Sequence, residues 1–358
     1  MVNNNRTTTL ELLSPARDKE TAISAINHGA DAVYIGASKF GAREKAGNSI
    51  SDIEKVVNYA HIFNAKVYAT VNTIFYDNEA EEIRKLCYSL WNIGIDAIII
   101  QDTGILELDL PPIRFHISTQ ANNRTLEKIL FWEKTGVSRV IIARELSLKQ
   151  ITEIRKNTKI ELEAFIHGAL CVSYSGNCYM SYCSTQRSAN RGECSQPCRL
   201  PYNLIDNNGK TLIKDKHLLS LRDLNASSVL PELINAGVTS FKIEGRLKDS
   251  TYVKNVTAFY HNQLNKFIEQ NNSYSRLANG NCTIAFEPDV ERTFSRGFTT
   301  YFYKERQKDS ANFITPKSTG KLIGKVTTTD SKHFILDNDQ NLVNGDGICF
   351  IIQIFDFL

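Results

Sequence analysis

Short runs of aliphatic and β-branched residues recur along the chain, each entered through a glycine: Gly29-Ala-Asp-Ala-Val-Tyr-Ile-Gly36, Gly94-Ile-Asp-Ala-Ile-Ile-Ile-Gln101, Gly136-Val-Ser-Arg-Val-Ile-Ile-Ala143 and Gly237-Val-Thr-Ser-Phe-Lys-Ile-Glu244. A glycine after a last helical turn supplies a left-handed cap, and an unbroken Val/Ile run marks a strand buried on both faces. Between these runs apolar residues recur at the helical period. Ile53, Val56, Val57 and Ala60 share one face, as do Ile83, Leu86, Cys87, Leu90 and Trp91.

The alternation predicts strands at Leu10–Ser14, Ala32–Ile35, Lys66–Val71, Ala97–Gln101, Phe115–Thr119, Arg139–Arg144, Glu161–Ile166 and Ser240–Glu244. Eight buried strands with helices between them, over roughly 250 residues, predict an α/β fold of the (β/α)8 TIM-like barrel type. An open doubly wound sheet fits less well, because no GxGxxG follows the first strand, which runs on as Leu12-Leu-Ser-Pro-Ala-Arg17. The stretch between strands seven and eight is too long for one helix. It predicts a Cys-rich insertion at about 171–224, on the strand-end face where barrel enzymes keep their sites.

Within that insertion Asp206-Asn-Asn-Gly209 reads as a hairpin turn. A last helix is expected from about Ser250 to Gln270, and the polar Asn271-Asn-Ser-Tyr-Ser275 reads as a linker. The barrel with its insertion thus occupies 9–270. A small β-rich domain is expected over 283–358, with strands at Gly320–Val326 and His333–Leu336. The final apolar run, Ile348 to Leu358, would need strand partners, so this domain is expected to be truncated.

Composition narrows the class. Over 358 residues, 42 Lys+Arg stand against 39 Asp+Glu with 42% hydrophobic residues, which excludes disorder, collagen and coiled coil as whole-chain descriptions. The balanced charge carries no global nucleic-acid signature. No run approaches the ~18 apolar residues of a membrane span, and Met1-Val-Asn-Asn-Asn-Arg6 has no signal-peptide character, so a cytoplasmic protein is expected. In that compartment cysteines stay reduced, and clustered ones read as metal ligands or redox thiols.

Cys171, Cys178, Cys194 and Cys198 form two pairs, spaced C-x6-C-x15-C-x3-C. Four such thiolates suit tetrahedral zinc or an iron-sulfur cluster, and the spacing leaves both open, although zinc ribbons favour tighter pairs. Cys183 could substitute as a ligand, whereas Cys87 belongs to a helix core. Arg187, Arg191 and Arg199, between and beside the pairs, suit an anionic cluster, a carboxylate, a phosphate or plain solvent.

Polar residues also gather where apolar strands end: Asn72, Gln101 and Asp102, Ser118 and Gln120, Arg144 and Glu145, Glu163 and His167, then Lys242, Glu244 and Arg246. The last three alternate, so they face one side, and inside a barrel they form an ion layer near the mouth. A purely structural salt-bridge layer would read the same. His167 fits a general acid or base, a ligand near Cys171, or a satisfied barrel-mouth histidine. Hydrolase signatures are missing: none of the seven histidines is followed by Glu, and there is no GxSxG.

Longer phrases then combine: Glu11-Leu-Leu-Ser-Pro-Ala16, Ser118-Thr-Gln120, Arg144-Glu-Leu146, Glu163-Ala-Phe-Ile-His-Gly-Ala-Leu-Cys171, Ser175-Gly-Asn-Cys178, Asn190-Arg-Gly-Glu-Cys194 and Lys242-Ile-Glu-Gly-Arg246. From about residue 9 to 260 the chain resembles the collagenase-like peptidase U32 family. Its better-understood relatives are oxygen-independent hydroxylases of ribosomal RNA cytidine, of tRNA wobble uridine with prephenate, and of the ubiquinone ring. The resemblance implies a four-iron four-sulfur (4Fe-4S) cluster on Cys171, Cys178, Cys194 and Cys198, and 5-hydroxylation of a pyrimidine in tRNA or ribosomal RNA. It also implies prephenate as hydroxyl source, and protein partners for cluster loading or electron supply.

For a dicarboxylate, Arg43, Arg144 and Arg246 are the natural clamps. Asn72, Gln120, Glu145, His167, Lys242 and Glu244 would line the mouth, with His167, Glu145, Lys242 and Glu244 as the candidates for chemistry. Tyr34 and Tyr174 are available to stack a base. The competing expectations are a collagenase-like peptidase, as the family name says, and a non-catalytic iron-sulfur assembly partner.

Overall fold

A computed structural model of the chain, which describes residues 7–43, 46–338, 342 and 344–350, joins eight parallel strands edge to edge in a ring. The strands are β1 (Thr8–Ala16), β2 (Ala32–Ala37), β3 (Lys66–Val71), β4 (Ala97–Ile100), β5 (Phe115–Ile117), β6 (Arg139–Ile141), β7 (Glu161–Gly168) and β8 (Ser240–Ile243). Each pairs in parallel with the next. Glu11 opposite Ser240 and Leu13 opposite Lys242 close β8 onto β1. The expected barrel is therefore present.

Helices α1 (Lys19–Asn27), α2 (Ile50–Ile62), α3 (Ala80–Asn92), α4 (Leu126–Lys134), α5 (Leu148–Asn157), α7 (Leu230–Asn235) and α8 (Ser250–Glu269) lie in the chain outside the strands, with α6 (Met180–Thr185) in the insertion. Asp18, Ser49, Thr125, Ser147 and Asp249 start five of them by accepting a backbone N–H from the first turn. Gly29, Gly94, Gly136 and Gly237 have φ of +93°, +79°, +81° and +89°, the left-handed geometry that the sequence pattern required. Ile53, Val56, Val57, Ala60, Ile83, Cys87 and Leu90 are buried. Trp91 departs from its expected place: it is exposed, one step past the buried stripe of α3.

Strands five and six stop earlier than expected because side chains at the rim take their backbone partners. The Ser118 hydroxyl accepts from Gln120 N, and the buried Asn123 amide donates to Ser118 O and Ile141 O. After β7 the insertion includes an antiparallel hairpin, Tyr202–Ile205 with Thr211–Lys216, around the Asp206–Gly209 turn. Strand Asp223–Asn225 then returns antiparallel to the end of β7 and pairs with Phe298–Thr299, extending the sheet at the rim.

The polar stretch expected as a linker is instead partly structural. Tyr274–Arg276 pairs with the start of β1, held there by Arg276, whose guanidinium grips the buried Asp31 at 2.5 and 2.9 Å. Beyond residue 283 the described residues form the short strand at 298–299 and a hairpin, Val326–Thr329 with Phe334–Leu336. The strand expected from Gly320 begins only at Val326. Most of the apolar run 348–358 lies outside the described residues. Among those residues no helix is long and apolar enough to cross a membrane.

Candidate active site at the barrel mouth

Two storeys of charge stand inside the barrel. The lower is centred on Arg139, 4% exposed, which contacts Glu11 at 2.5 and 3.0 Å, Glu161 at 2.9 Å and Glu163 at 3.0 Å. Ser240 and Tyr68 donate to Glu11, and Lys242 donates to Glu163 at 2.7 Å. Burial pushes the Glu11 carboxyl up, but Arg139 and the hydrogen bonds outweigh it and hold the group below its usual value. Burial also pulls the Lys242 ammonium down, opposed by Glu163. Its charge sits 4.3 Å over the Tyr34 ring.

The upper storey surrounds Glu244. Arg43 lies 3.1 Å and Arg144 3.5 Å from its oxygens. Burial raises this carboxyl, and Arg43, Arg144, Arg246 and Lys242 more than reverse that. Arg246, buried, donates to Thr70 Oγ1 at 2.5 Å, and burial beside Arg43 draws it down to about 10. Arg144 also stacks over Phe165, 3.7 Å from the ring centre. Lys242, Glu244 and Arg246 thus face one interior, as their alternation predicted, although Lys242 pairs with Glu163 from β7 rather than with its own strand.

Above this floor lies a cavity of about 410 Å³ roofed by the insertion. Cys171, Cys178, Cys194 and Cys198 all line it, and burial raises the Cys171 and Cys198 thiols. Arg43, Arg144, Lys242 and Arg246 share the cavity with Arg187, Arg199, Lys248 and Arg296, and Glu244 is the one carboxylate among the described lining residues, while Glu163 pairs with Lys242 and Asp223 with Arg296 at 3.0 Å behind the wall. Among the described residues no group of three or more His, Cys, Asp or Glu is drawn together tightly enough to hold a single metal ion. Four soft donors around one cationic cavity nevertheless fit an anionic multi-iron cluster, whose ligands stand wider apart than those of one ion.

The remaining insertion residues are mostly fasteners. Arg191 grips Glu79 at 2.7 and 3.0 Å, and Arg199 donates to Ser220, Leu221 O and Leu170 O. Arg187 is exposed on the cavity wall without a carboxylate partner among the described residues. Cys183 is exposed and does not line the cavity.

Of the residues singled out by sequence, Arg43, Asn72, Gln120, Arg144, Lys242, Glu244, Arg246 and Tyr34 line this cavity. Asn72 is committed locally, accepting from Ala42 N and donating to Ser118. Tyr34 is buried, with its hydroxyl on Ile243 O and the Lys242 charge on its ring, so it has no free face for a base. Tyr174, 59% exposed, carries the Arg124 guanidinium 4.0 Å from its ring centre on one side and offers the other face.

Two others are placed elsewhere. Glu145 points away from the mouth, accepting from Ser175 N at 2.8 Å and from its hydroxyl, and so ties down the cysteine loop. His167 is buried outside the cavity among Tyr252, Tyr260 and Phe298. Desolvation lowers its pKa to about 3. Sequence reasoning passed over Arg139 and Glu161, at the starts of their strands, and Lys248 and Arg296. A charge inside an otherwise apolar strand was the available signal for the first two. The last two sit in loops with no periodicity to flag them.

The sequence profile described as peptidase family U32 matches residues 17–312. The chain is 49% identical over 344 residues to the 23S rRNA 5-hydroxycytidine synthase of Escherichia coli, an alignment covering 96% of this chain and 53% of that protein. It is 36% identical over 305 residues to an uncharacterized protease of Methanocaldococcus jannaschii, covering 82% of this chain and 73% of the other. Identity to a tRNA hydroxylation protein of Bacillus subtilis is 34% over 267 residues, covering 72% and 63%. The chain therefore spans about half the length of the ribosomal RNA enzyme it matches.

Proposed function

The chain belongs to peptidase family U32, and from that membership we propose that it is an RNA hydroxylase, adding oxygen at C5 of a pyrimidine, with cytidine in ribosomal RNA as the first substrate to test. The observation that carries this reading is the cavity itself, where, among the described residues, eight cationic side chains and one carboxylate line the wall beside four thiols, and six of the cations remain once Glu163 takes Lys242 and Asp223 takes Arg296. A chain of balanced overall charge thus presents a local excess of positive charge at one opening, which suits a polyanion or a carboxylate co-substrate. The 49% identity to a protein named for making 5-hydroxycytidine in 23S rRNA supports the same substrate class.

In this reading Cys171, Cys178, Cys194 and Cys198 hold a four-iron four-sulfur cluster, with zinc as the alternative that metal analysis separates. When bound, such a cluster supplies one-electron redox chemistry. Arg43, Arg144 and Arg246 clamp a dicarboxylate such as prephenate, since guanidinium forks match carboxylates bidentately. Lys242 and Glu244 set the charge beneath it, and Gln120 is available to hydrogen-bond it. Tyr174 offers a stacking face for the displaced base, and Arg187 a phosphate contact. Glu145 acts through the loop it ties down. Cytoplasmic location and protein partners for electron supply follow from the same reading.

Peptide cleavage by a nucleophile needs a base beside it. Among the described residues no histidine is hydrogen-bonded to a serine, threonine or cysteine side chain. The deciding experiment is anaerobic purification with iron and sulfide analysis, together with mass mapping of ribosomal and transfer RNA from cells lacking the gene. Iron and sulfide in equal amounts, and one pyrimidine lighter by an oxygen atom, are expected. Unchanged RNA with cleavage of a collagen-like peptide by the purified protein would overturn the proposal. A loaded cluster without any turnover would support an assembly role instead.

A further inference from the structure

A second cavity, of about 500 Å³, opens beside the first, and Tyr174 lines both. The Arg124 guanidinium lies 4.0 Å from the centre of the Tyr174 ring, and Arg306 lies 5.9 Å from that of Phe302. Neither arginine meets a carboxylate among the described residues. Among those residues Arg124 has one side-chain hydrogen bond, to Asn122, and Arg306 is exposed with none. The one acid in the wall, Glu145, is engaged by Ser175. Gln150 has its oxygen held by Ser147, which leaves its amide N–H groups to the cavity.

We propose that this second cavity is an RNA subsite that takes the nucleotide adjoining the one delivered to the barrel mouth. The inference rests on the RNA-hydroxylase reading and adds where the flanking strand runs. Aromatic faces with unpaired guanidiniums beside them are what single-stranded RNA requires, because every base has a π-face and every linkage a negative charge. Gln150 can donate to a base edge. The shared wall supplies continuity: a strand with one nucleotide in each cavity crosses Tyr174, next to the loop that carries Cys171 and Cys178. A free dicarboxylate would leave this second chamber unused, and a neutral peptide would leave Arg124 and Arg306 without counter-charge.

The test is fluorescence anisotropy of a fluorescein-labelled, cytidine-containing single-stranded RNA with the full chain, titrated with salt. Arg306→Glu, Arg124→Gln and Phe302→Leu are compared with the parent protein. Loss of a stacking ring is expected to weaken binding by about 5- to 150-fold. Each arginine removed from a phosphate should make the slope of log K against log salt shallower by about 0.7. Arg306 is exposed and unbonded, so R306E keeps the parent thermal midpoint, and its loss of affinity cannot be unfolding. Variants that bind RNA like the parent at every salt concentration overturn the subsite. So does displacement of the RNA by an acidic peptide at equal charge concentration in the parent but not in R306E. A parent protein that binds RNA yet modifies no pyrimidine overturns the hydroxylase reading instead, and one that binds no RNA overturns both.

Discussion

Gly176 lies so close to the carbonyl of Gln120 that a β-carbon on it would stand 1.6 Å from that oxygen. Its φ of +75° is also a conformation that glycine alone adopts freely. This contact, with the Glu145 to Ser175 hydrogen bond beside it, seats the Cys171–Cys178 loop on the rim after β5. Gly176→Ala must push the loop off the rim, besides about 1–2 kcal/mol of left-handed strain. A lower thermal midpoint and less iron bound per chain after anaerobic reconstitution are expected. Gly209, with φ of +82° and nothing within 4 Å of an added β-carbon, provides the control: its alanine variant bears the strain alone and keeps its iron.

The ring of strands was legible because Gly29, Gly94, Gly136 and Gly237 punctuate it and because parallel strands are apolar on both faces. Strand parity also placed Lys242, Glu244 and Arg246 correctly. His167, which the sequence leaves open between a chemical role, a ligand near Cys171 and a satisfied barrel-mouth histidine, is placed by a bulge: β8 pairs Lys242 with Phe165 but the next residue, Ile243, with His167, so β7 holds one extra residue there. The bulge turns the imidazole from the barrel interior toward α8. A bulge leaves no mark in periodicity. Arg276, likewise, sits in a stretch whose composition reads as linker, and only its tertiary partner Asp31 makes that stretch a strand.

Arg139 faces three carboxylates in the lower storey, so its removal leaves Glu11 buried without its counter-charge and Glu163 with Lys242 alone. Breaking a buried pair from one side costs about 3–5 kcal/mol. Arg139→Met should therefore lower the midpoint of urea unfolding markedly. Arg139→Lys should recover only part of the loss, since one ammonium cannot reproduce the fork that spans Glu11 and Glu161. Equal stability of both variants and the parent would show that this layer contributes no stability.

His167 makes stability depend on pH in a definite direction. Its folded pKa, about 3, lies below the ordinary 6.5, so between these values the unfolded chain takes up a proton that the folded chain refuses. Stability is then complete above pH 6.5 and falls as pH drops, by up to about 1.4 kcal/mol per unit from this group. His116 and His261, also lowered by burial, add to the slope. His167→Phe fits among the neighbouring rings and leaves the Tyr260 hydroxyl bonded to Ile166 O and Asn225. Denaturant unfolding between about pH 5 and 6.5 should show a flatter pH dependence, with turnover retained because this imidazole does not reach the cavity.

The cysteines divide by position. Serine at Cys171, Cys178, Cys194 or Cys198 removes a soft donor from the shared cavity and is expected to abolish stable iron binding. Cys183→Ser, outside that cavity, should bind iron like the parent. Chelation of iron from the parent should leave the thermal midpoint of the barrel close to that of the four serine variants. Iron retention by any one of those four would transfer its ligand role to Cys183.

Glu244 competes with any anion that enters the upper storey, because it already occupies Arg43 at 3.1 Å and Arg144 at 3.5 Å. Its carboxyl is held below the usual range by those arginines against the upward push of burial, so it stays charged at neutral pH. Glu244→Gln keeps the shape and removes the charge, which frees both guanidinium forks. A dicarboxylate or an RNA phosphate then binds without displacing a protein carboxylate, and KM for the anionic substrate should fall. Turnover should fall with it, since the freed arginines now hold the anion more strongly in the ground state without any matching gain in the transition state. Steady-state kinetics separates the two effects. If KM rises instead, Glu244 orients the arginines for the substrate, and the competition account is wrong.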